Sequence, residues 1–322
     1  MPCRAETAKG LRQGMIRGIA CHHMQTLKPY LAALVMVFIW SGWITISRYG
    51  VHTELQPADI TLLRYWTAFL AVSPLLCRHP WNRFRLWQYL VVGLGVGFPY
   101  TMLSFYALKV LRAAHAGVLV NGMLPVLGAI AAWVLFRQRI ALHRYAAIGL
   151  IFLSNLVMTG GTVFALDRAA GIVLLLTAAL CYTFHMTGIR LCGMSWREVV
   201  VVVPTVNVVL FTPLWYFFPS GFGQASLQDM AVQAVYQGIV VNVLALICVA
   251  YAIRHLGTIT VSLFMSFVPV TTALLAWALL GEVLKPWEIA GIAGCSTGLL
   301  WYAWEPGSRA LTAKRAVEAD GE

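Results

Sequence analysis

Long runs without a single formal charge organise this chain. Leu31–Ser47, Leu86–Leu108, Ala113–Phe136, Tyr145–Leu166, Ala169–Ile189, Val199–Gln228, Met230–Ile253, Leu256–Gly281 and Ile289–Trp304 contain no Asp, Glu, Lys or Arg. A tenth run, Ala58–Cys77, is interrupted only by Asp59 and Arg64. About twenty apolar residues carry a helix across the hydrocarbon of a bilayer. Lipid offers no water to satisfy backbone groups, so helices are the spanning structure for runs of this length. The pattern predicts an all-α integral membrane protein with ten transmembrane helices. Composition agrees, because 60% of the residues are hydrophobic and only 11% charged, less than half the charge of an ordinary soluble domain. Disordered, collagen-like and small disulfide-framework chains are excluded on the same figures.

The seven cysteines show no C-x-x-C pair, and most sit within apolar runs, where a free thiol behaves as a small hydrophobe. Cys21-His22-His23 has metal-binding residue types but lies in a segment that reads as a tail. No cofactor and no metal site is expected.

The formal net charge of +11 has a topological explanation. With the spans numbered one to ten, the N-terminal tail, the C-terminal tail and the connections after spans two, four, six and eight hold 17 Lys and Arg. The opposite side holds five, Arg48, Lys109, Arg112, Arg168 and Lys285, and Arg64 lies inside span two. Basic residues collect on the cytoplasmic side, so both termini are expected in the cytoplasm of a multi-pass protein of the cell inner membrane. The excess is a one-sided cytoplasmic rim that orients the helices in the lipid bilayer, and nucleic acid is not an expected partner. Residues 1–29 read as a cytoplasmic tail in which Met1, Met15 and Met24 are alternative starts, with the first span as an uncleaved anchor.

The two halves resemble each other. Tyr106-Ala107-Leu108-Lys109-Val110-Leu111 matches Tyr251-Ala252-Ile253-Arg254-His255-Leu256 at an offset of 145. Pro125-Val126, Ala129, Ala132-Trp133 and Leu135 match Pro269-Val270, Ala273, Ala276-Trp277 and Leu279 at an offset of 144. The expected division is a tail at 1–29, a first five-helix repeat at 30–160, a linker at 161–168, a second repeat at 169–304 and a tail at 305–322. Five is odd, so the second repeat would enter the membrane from the opposite side. Inverted repeats of this kind characterise secondary transporters, whose substrates bind near the midplane between the halves.

The Y-A-[LI]-[KR]-x-L pattern, the Pro-Val pair in a small-residue span, Leu280-Gly281-Glu282 and the Gly-rich last span together resemble the EamA family of the drug/metabolite transporter superfamily. Arg64 after a Pro57 start and Trp40-Ser41-Gly42 in the first span agree, and the resemblance covers about residues 30–304. It implies a ten-helix permease that exports small metabolites by alternating access, with amino acids or related compounds first. One departure is Gln138, where the family pattern has a Glu near the end of span four; Glu282 keeps the equivalent acid in span nine.

Candidate site residues are the polar and aromatic groups within spans. Trp40 and Trp43 share one face of the first span, and Tyr182 and His185 are their counterparts in the second half. Tyr100, Asn121, Asn242 and Ser266 complete the expected substrate-binding set. Arg64 either snorkels to the interface or captures a substrate carboxylate; with Glu282 and the helix-interrupting Pro125 and Pro269 it forms the gating or charge set. No acid lies in the middle of a span, and buried ionisable groups in membranes are usually purposeful. Organic cations therefore rank below neutral, zwitterionic or anionic metabolites. Gly93 and Gly97, like Gly294 and Gly298, read as small faces for close helix packing. No phosphate-binding loop occurs and no nucleophile, base or metal cluster suggests an enzyme. A broad drug exporter on the same fold stays open, as do a monomer and a homodimer.

Overall fold

The computed structural model describes residues 3–137, 142–159 and 166–304, with most side chains from Leu27 onward. Gln138, the Cys21-His22-His23 side chains, most of the 161–168 linker and the 305–322 tail lie outside the described residues. The elements are α1 (Cys3–Gly50), α2 (Pro57–Leu76), α3 (Leu86–Gly95), α4 (Phe98–Val110), α5 (Ala113–Phe136), α6 (Leu142–Thr159), α7 (Leu166–Cys192), α8 (Trp196–Trp215), α9 (Leu227–Gln233), α10 (Ala245–Met265), α11 (Val268–Leu280) and α12 (Pro286–Ala303). A π-helical segment, Ala234–Leu244, joins α9 to α10. Two of the joints are internal to a rod: α3 runs into α4, and α9 runs through the π segment into α10. Among the described residues ten rods result, the expected all-helical architecture. Six of them are long and apolar enough to cross a membrane, among them Leu27–Gly50, Leu86–Val110 and Arg168–Cys192.

The surface is inverted relative to a soluble protein. Leu70, Leu86, Leu142, Trp133, Val209 and Trp277 are more than half exposed, while Asp59, Thr61, Asn207, Gln233 and Gln237 are completely buried. Side chains of this apolar kind facing outward suit hydrocarbon, and the polar groups turn inward to find one another. Trp81, Trp87, Trp196 and Trp301 are exposed near helix ends, as suits interfacial anchors. Trp215 differs: its indole donates to Asp59 (3.0 Å).

Helix α12 packs chiefly on α6. A Cβ at Gly298 would stand 2.6 Å from Ile151 and one at Gly294 2.4 Å from the Ser154 hydroxyl, so these glycines bring the two backbones together. Glycine at 93, 95 and 97 does the same between helices, with Val206 and Asn207 of α8 and the backbone of His185 in α7 lying where side chains would be. The chain also breaks there. Asn207 patches the break, accepting from the Phe98 amide (2.6 Å) and donating to the Gly93 carbonyl (2.8 Å).

Several boundaries differ from those the sequence suggests. The apolar run Val199–Gln228 leaves the helix after Trp215, and α9 begins only at Leu227. Pro219 and two glycines follow the helix end, where no charge marks the spot. The break expected at Arg254-His255 is absent; helical structure continues to Met265, and the turn falls at Ser266–Phe267. Pro269 sits at the start of α11, where its missing N–H is not needed. Pro99 occupies the same place in α4. Pro125 and Pro204 instead lie inside continuous helices.

Candidate substrate site

An aromatic cluster lies at the centre. The Trp43 ring stacks on Tyr100 (centroids 5.5 Å apart, 17° between planes). Trp40 meets both Trp43 (6.4 Å) and Tyr182 (6.2 Å) edge to face. Tyr182 also contacts Tyr100 (5.6 Å) and His185 (5.8 Å). Trp40 and Trp43 come from one stripe of α1, Tyr100 from the first turn of α4 and Tyr182 from the middle of α7. The break between α3 and α4 thus places Tyr100 beneath Trp43.

Three spaces with shared lining residues border this cluster. The largest, about 380 Å³, is lined by Asn121, Pro125, Tyr182, Met265, Ser266 and Tyr302 among others. That volume lies within the range of small-molecule sites. It reaches toward the end of the bundle where α12 finishes. A narrow space of about 30 Å³ lies between Trp40, Trp43, Tyr100, Asn121 and Tyr182. A third, of about 50 Å³, is lined by Trp40, Arg64, Tyr182, His185, Pro204 and Asn242 among others. Tyr182 borders all three, and no Asp or Glu lines any of them.

Arg64 is 3% exposed. It does not snorkel to an interface. Its guanidinium donates to Gln237 Oε1 (2.7 Å) and at longer range to Asn242 Oδ1 (3.5 Å), and its Cζ lies 5.8 Å from the Trp43 ring centroid. Gln237 is in turn held by Ser47 (2.9 Å) and Gln233 (3.2 Å). The π segment explains how two amides five residues apart reach the same guanidinium, because its hydrogen bonds close over five residues. His185 is buried, with Nδ1 2.7 Å from the Val92 carbonyl, and its ring borders the Arg64 chamber.

Around the aromatic cluster three buried donors of the described residues have no acceptor: the indole nitrogens of Trp40 and Trp43 and Nε of Arg64. Asn121, by contrast, donates to the Gly117 carbonyl (2.8 Å), and Ser266 is almost fully buried. Asn242 donates to the Gln237 carbonyl (2.7 Å).

The opposite end of the bundle is fastened by charge. Gly281, at φ +67°, ends α11 in a left-handed turn, the conformation that glycine adopts most readily. Glu282 follows, pairing with Arg48 (3.1 Å) and accepting from the Ala113 amide (3.1 Å) at the start of α5. Arg48 also donates to the Leu108 carbonyl. Arg112 pairs with Glu288 (2.8 Å). Partial burial, then the positive charges of Arg48 and Lys109, hold the nearby His52 imidazole below its ordinary pKa. Glu282 therefore stands apart from the aromatic cluster, and Pro269 is buried in the first turn of α11.

Sequence reasoning missed Gln233 and Gln237. Both are polar residues inside an apolar run and carried that signal, but an α-helical period puts Gln237 and Asn242 on different faces.

This fold is that of a multi-pass helical membrane protein with an internal cavity. A profile of the EamA-like transporter family matches the chain twice, over residues 27–160 and 169–304. The chain belongs to that family. An uncharacterized transporter, YyaM of Bacillus subtilis (strain 168), is 24% identical over 229 residues, covering 66% of this chain and 72% of that protein. A solved crystal structure that covers 89% of this chain and 98% of its own superposes with a TM-score of 0.60 at 18% identity, which bears on the fold alone. The protein is a membrane transporter.

Proposed function

We propose that the protein is a secondary transporter that exports small metabolites by alternating access, with amino acids or related neutral or zwitterionic compounds as the favoured cargo. The observation that carries this reading is a large cavity, lined mainly by apolar side chains with Asn121, Tyr182 and Tyr302 and without an acid, that reaches one end of the bundle while ion pairs fasten the other. Basic residues concentrate at the open end, so that end is cytoplasmic and the cargo loads from the cell interior. The halves are inverted repeats, which is supported by two family matches of five predicted spans each. Rocking of one half against the other would separate Arg48 from Glu282 and close the cytoplasmic mouth. A lining without carboxylates weighs against lipophilic cations as cargo.

The test is a screen of labelled amino acids and metabolites in proteoliposomes, with and without a pH gradient. At least one solute is expected to move faster than in protein-free vesicles. Movement of none, in either direction, would contradict the transport reading.

A further inference from the structure

We propose that the chamber bordered by Arg64, His185 and Asn242 is an anion subsite, and that it takes the carboxylate of a cargo whose apolar body lies on the aromatic cluster. This deepens the transport reading and rests on it.

The argument starts from charge. Among the described residues Arg64 is the one Lys or Arg classed as buried, and no carboxylate pairs with it. The other buried or half-buried acids are spoken for elsewhere. Asp59 accepts from Trp215, Gly221 and Gln56; Glu198 pairs with Arg83, Glu282 with Arg48 and Glu288 with Arg112. A guanidinium is always charged and has a flat fork of donors that matches a carboxylate. Two neutral amides satisfy only part of that fork and none of its charge. An unneutralised cation at this depth is costly, and a missing counter-ion is the simplest way to offset the cost.

The second line of argument is the hydrogen-bond inventory. The groups left without partners around the aromatic cluster are all donors, namely Arg64 Nε and the Trp40 and Trp43 indoles. Buried polar groups are normally satisfied, so the set asks for an acceptor. Asn242 and Gln237 present their oxygens to Arg64 and hold it in place.

Size gives the third. The chamber, about 50 Å³, holds more than one water molecule but is far too small for a whole metabolite. The adjoining 380 Å³ space has that capacity. A head group at Arg64 and a body past Tyr182 in the larger space divides the molecule accordingly.

The experiment compares three probes with one aromatic body and different heads: 3-phenylpropionate, 3-phenylpropionamide and phenethylamine. Binding is read by tryptophan fluorescence of the full chain in lipid nanodiscs at neutral pH, which requires no transport. The acid is expected to bind at least about tenfold more tightly than the amide or the amine, a difference of about 1.4 kcal/mol. Arg64→Gln should erase that preference. Asn242→Asp, which keeps Arg64 and gives it an internal carboxylate, should weaken the acid by a similar factor with an unchanged thermal midpoint; it guards against a folding defect in Arg64→Gln. Equal binding of acid and amide, a preference that survives in both variants, or binding by none of the probes overturns the subsite. Transport of solutes that carry no carboxylate would leave the transporter standing and the subsite refuted.

Discussion

Among single residues, Trp43 and His185 carry the clearest expectations. Trp43 stacks on Tyr100, supports the Arg64 guanidinium and has an unpaired indole donor. An aromatic pair contributes about 0.5–1.5 kcal/mol beyond its burial. Trp43→Ala is therefore expected to slow transport by roughly tenfold while the protein still inserts, as measured by initial rates normalised to reconstituted protein. His185→Ala removes the ring beside the chamber and should also impair transport. Normal kinetics in both variants would remove these residues from the site. The aromatic stripe was readable from the sequence because i, i+3 spacing on one helix places Trp40 and Trp43 together wherever that helix packs. The partners of Arg64 were only half readable. Asn242 stood out as a mid-span amide, whereas Gln237 joins it through a π-helical turn that has no sequence period to announce it.

For helices and their joints, lipid made the sequence easy to read in outline and poor at locating breaks. Runs of adequate length without charge translate directly into helices, so α2, α5 and α7 fall close to where the runs lie, whereas α1 starts at Cys3, well before its run at Leu31. Interruptions inside an apolar run leave no charge behind. The joint between α3 and α4 depends on a distant side chain, Asn207 of α8, which supplies both missing backbone partners. Asn207→Ala would leave the Phe98 amide and the Gly93 carbonyl unsatisfied, a loss of about 1–3 kcal/mol. A lower thermal midpoint in detergent is expected, with Tyr100 displaced from Trp43; an unchanged midpoint would show that the joint holds itself. The turn before α11 is a second case, where Pro269 rather than the basic pair Arg254-His255 sets the break.

At the scale of the whole molecule, the two halves share a motif but not every boundary. Leu111 and Arg112 end α4, whereas the matching Leu256 lies within α10. The proposed inversion of the halves assigns each connection a side. With the seven native cysteines replaced, Glu54→Cys, in the exposed connection between α1 and α2, should react with a membrane-impermeant maleimide in intact cells. Arg197→Cys, at the opposite face, should react only in inverted vesicles. Labelling of both from the same side would contradict the topology. On the proposed alternating-access reading, the ion pairs around Glu282 and the acid-free cavity belong to one of two conformations. The most direct check is counterflow. Proteoliposomes preloaded with an unlabelled solute identified in the screen are diluted into a trace of the same solute labelled. A carrier of this kind gives a transient accumulation of label above the external concentration, followed by decay. Simple equilibration without that overshoot would indicate a pore and contradict the account.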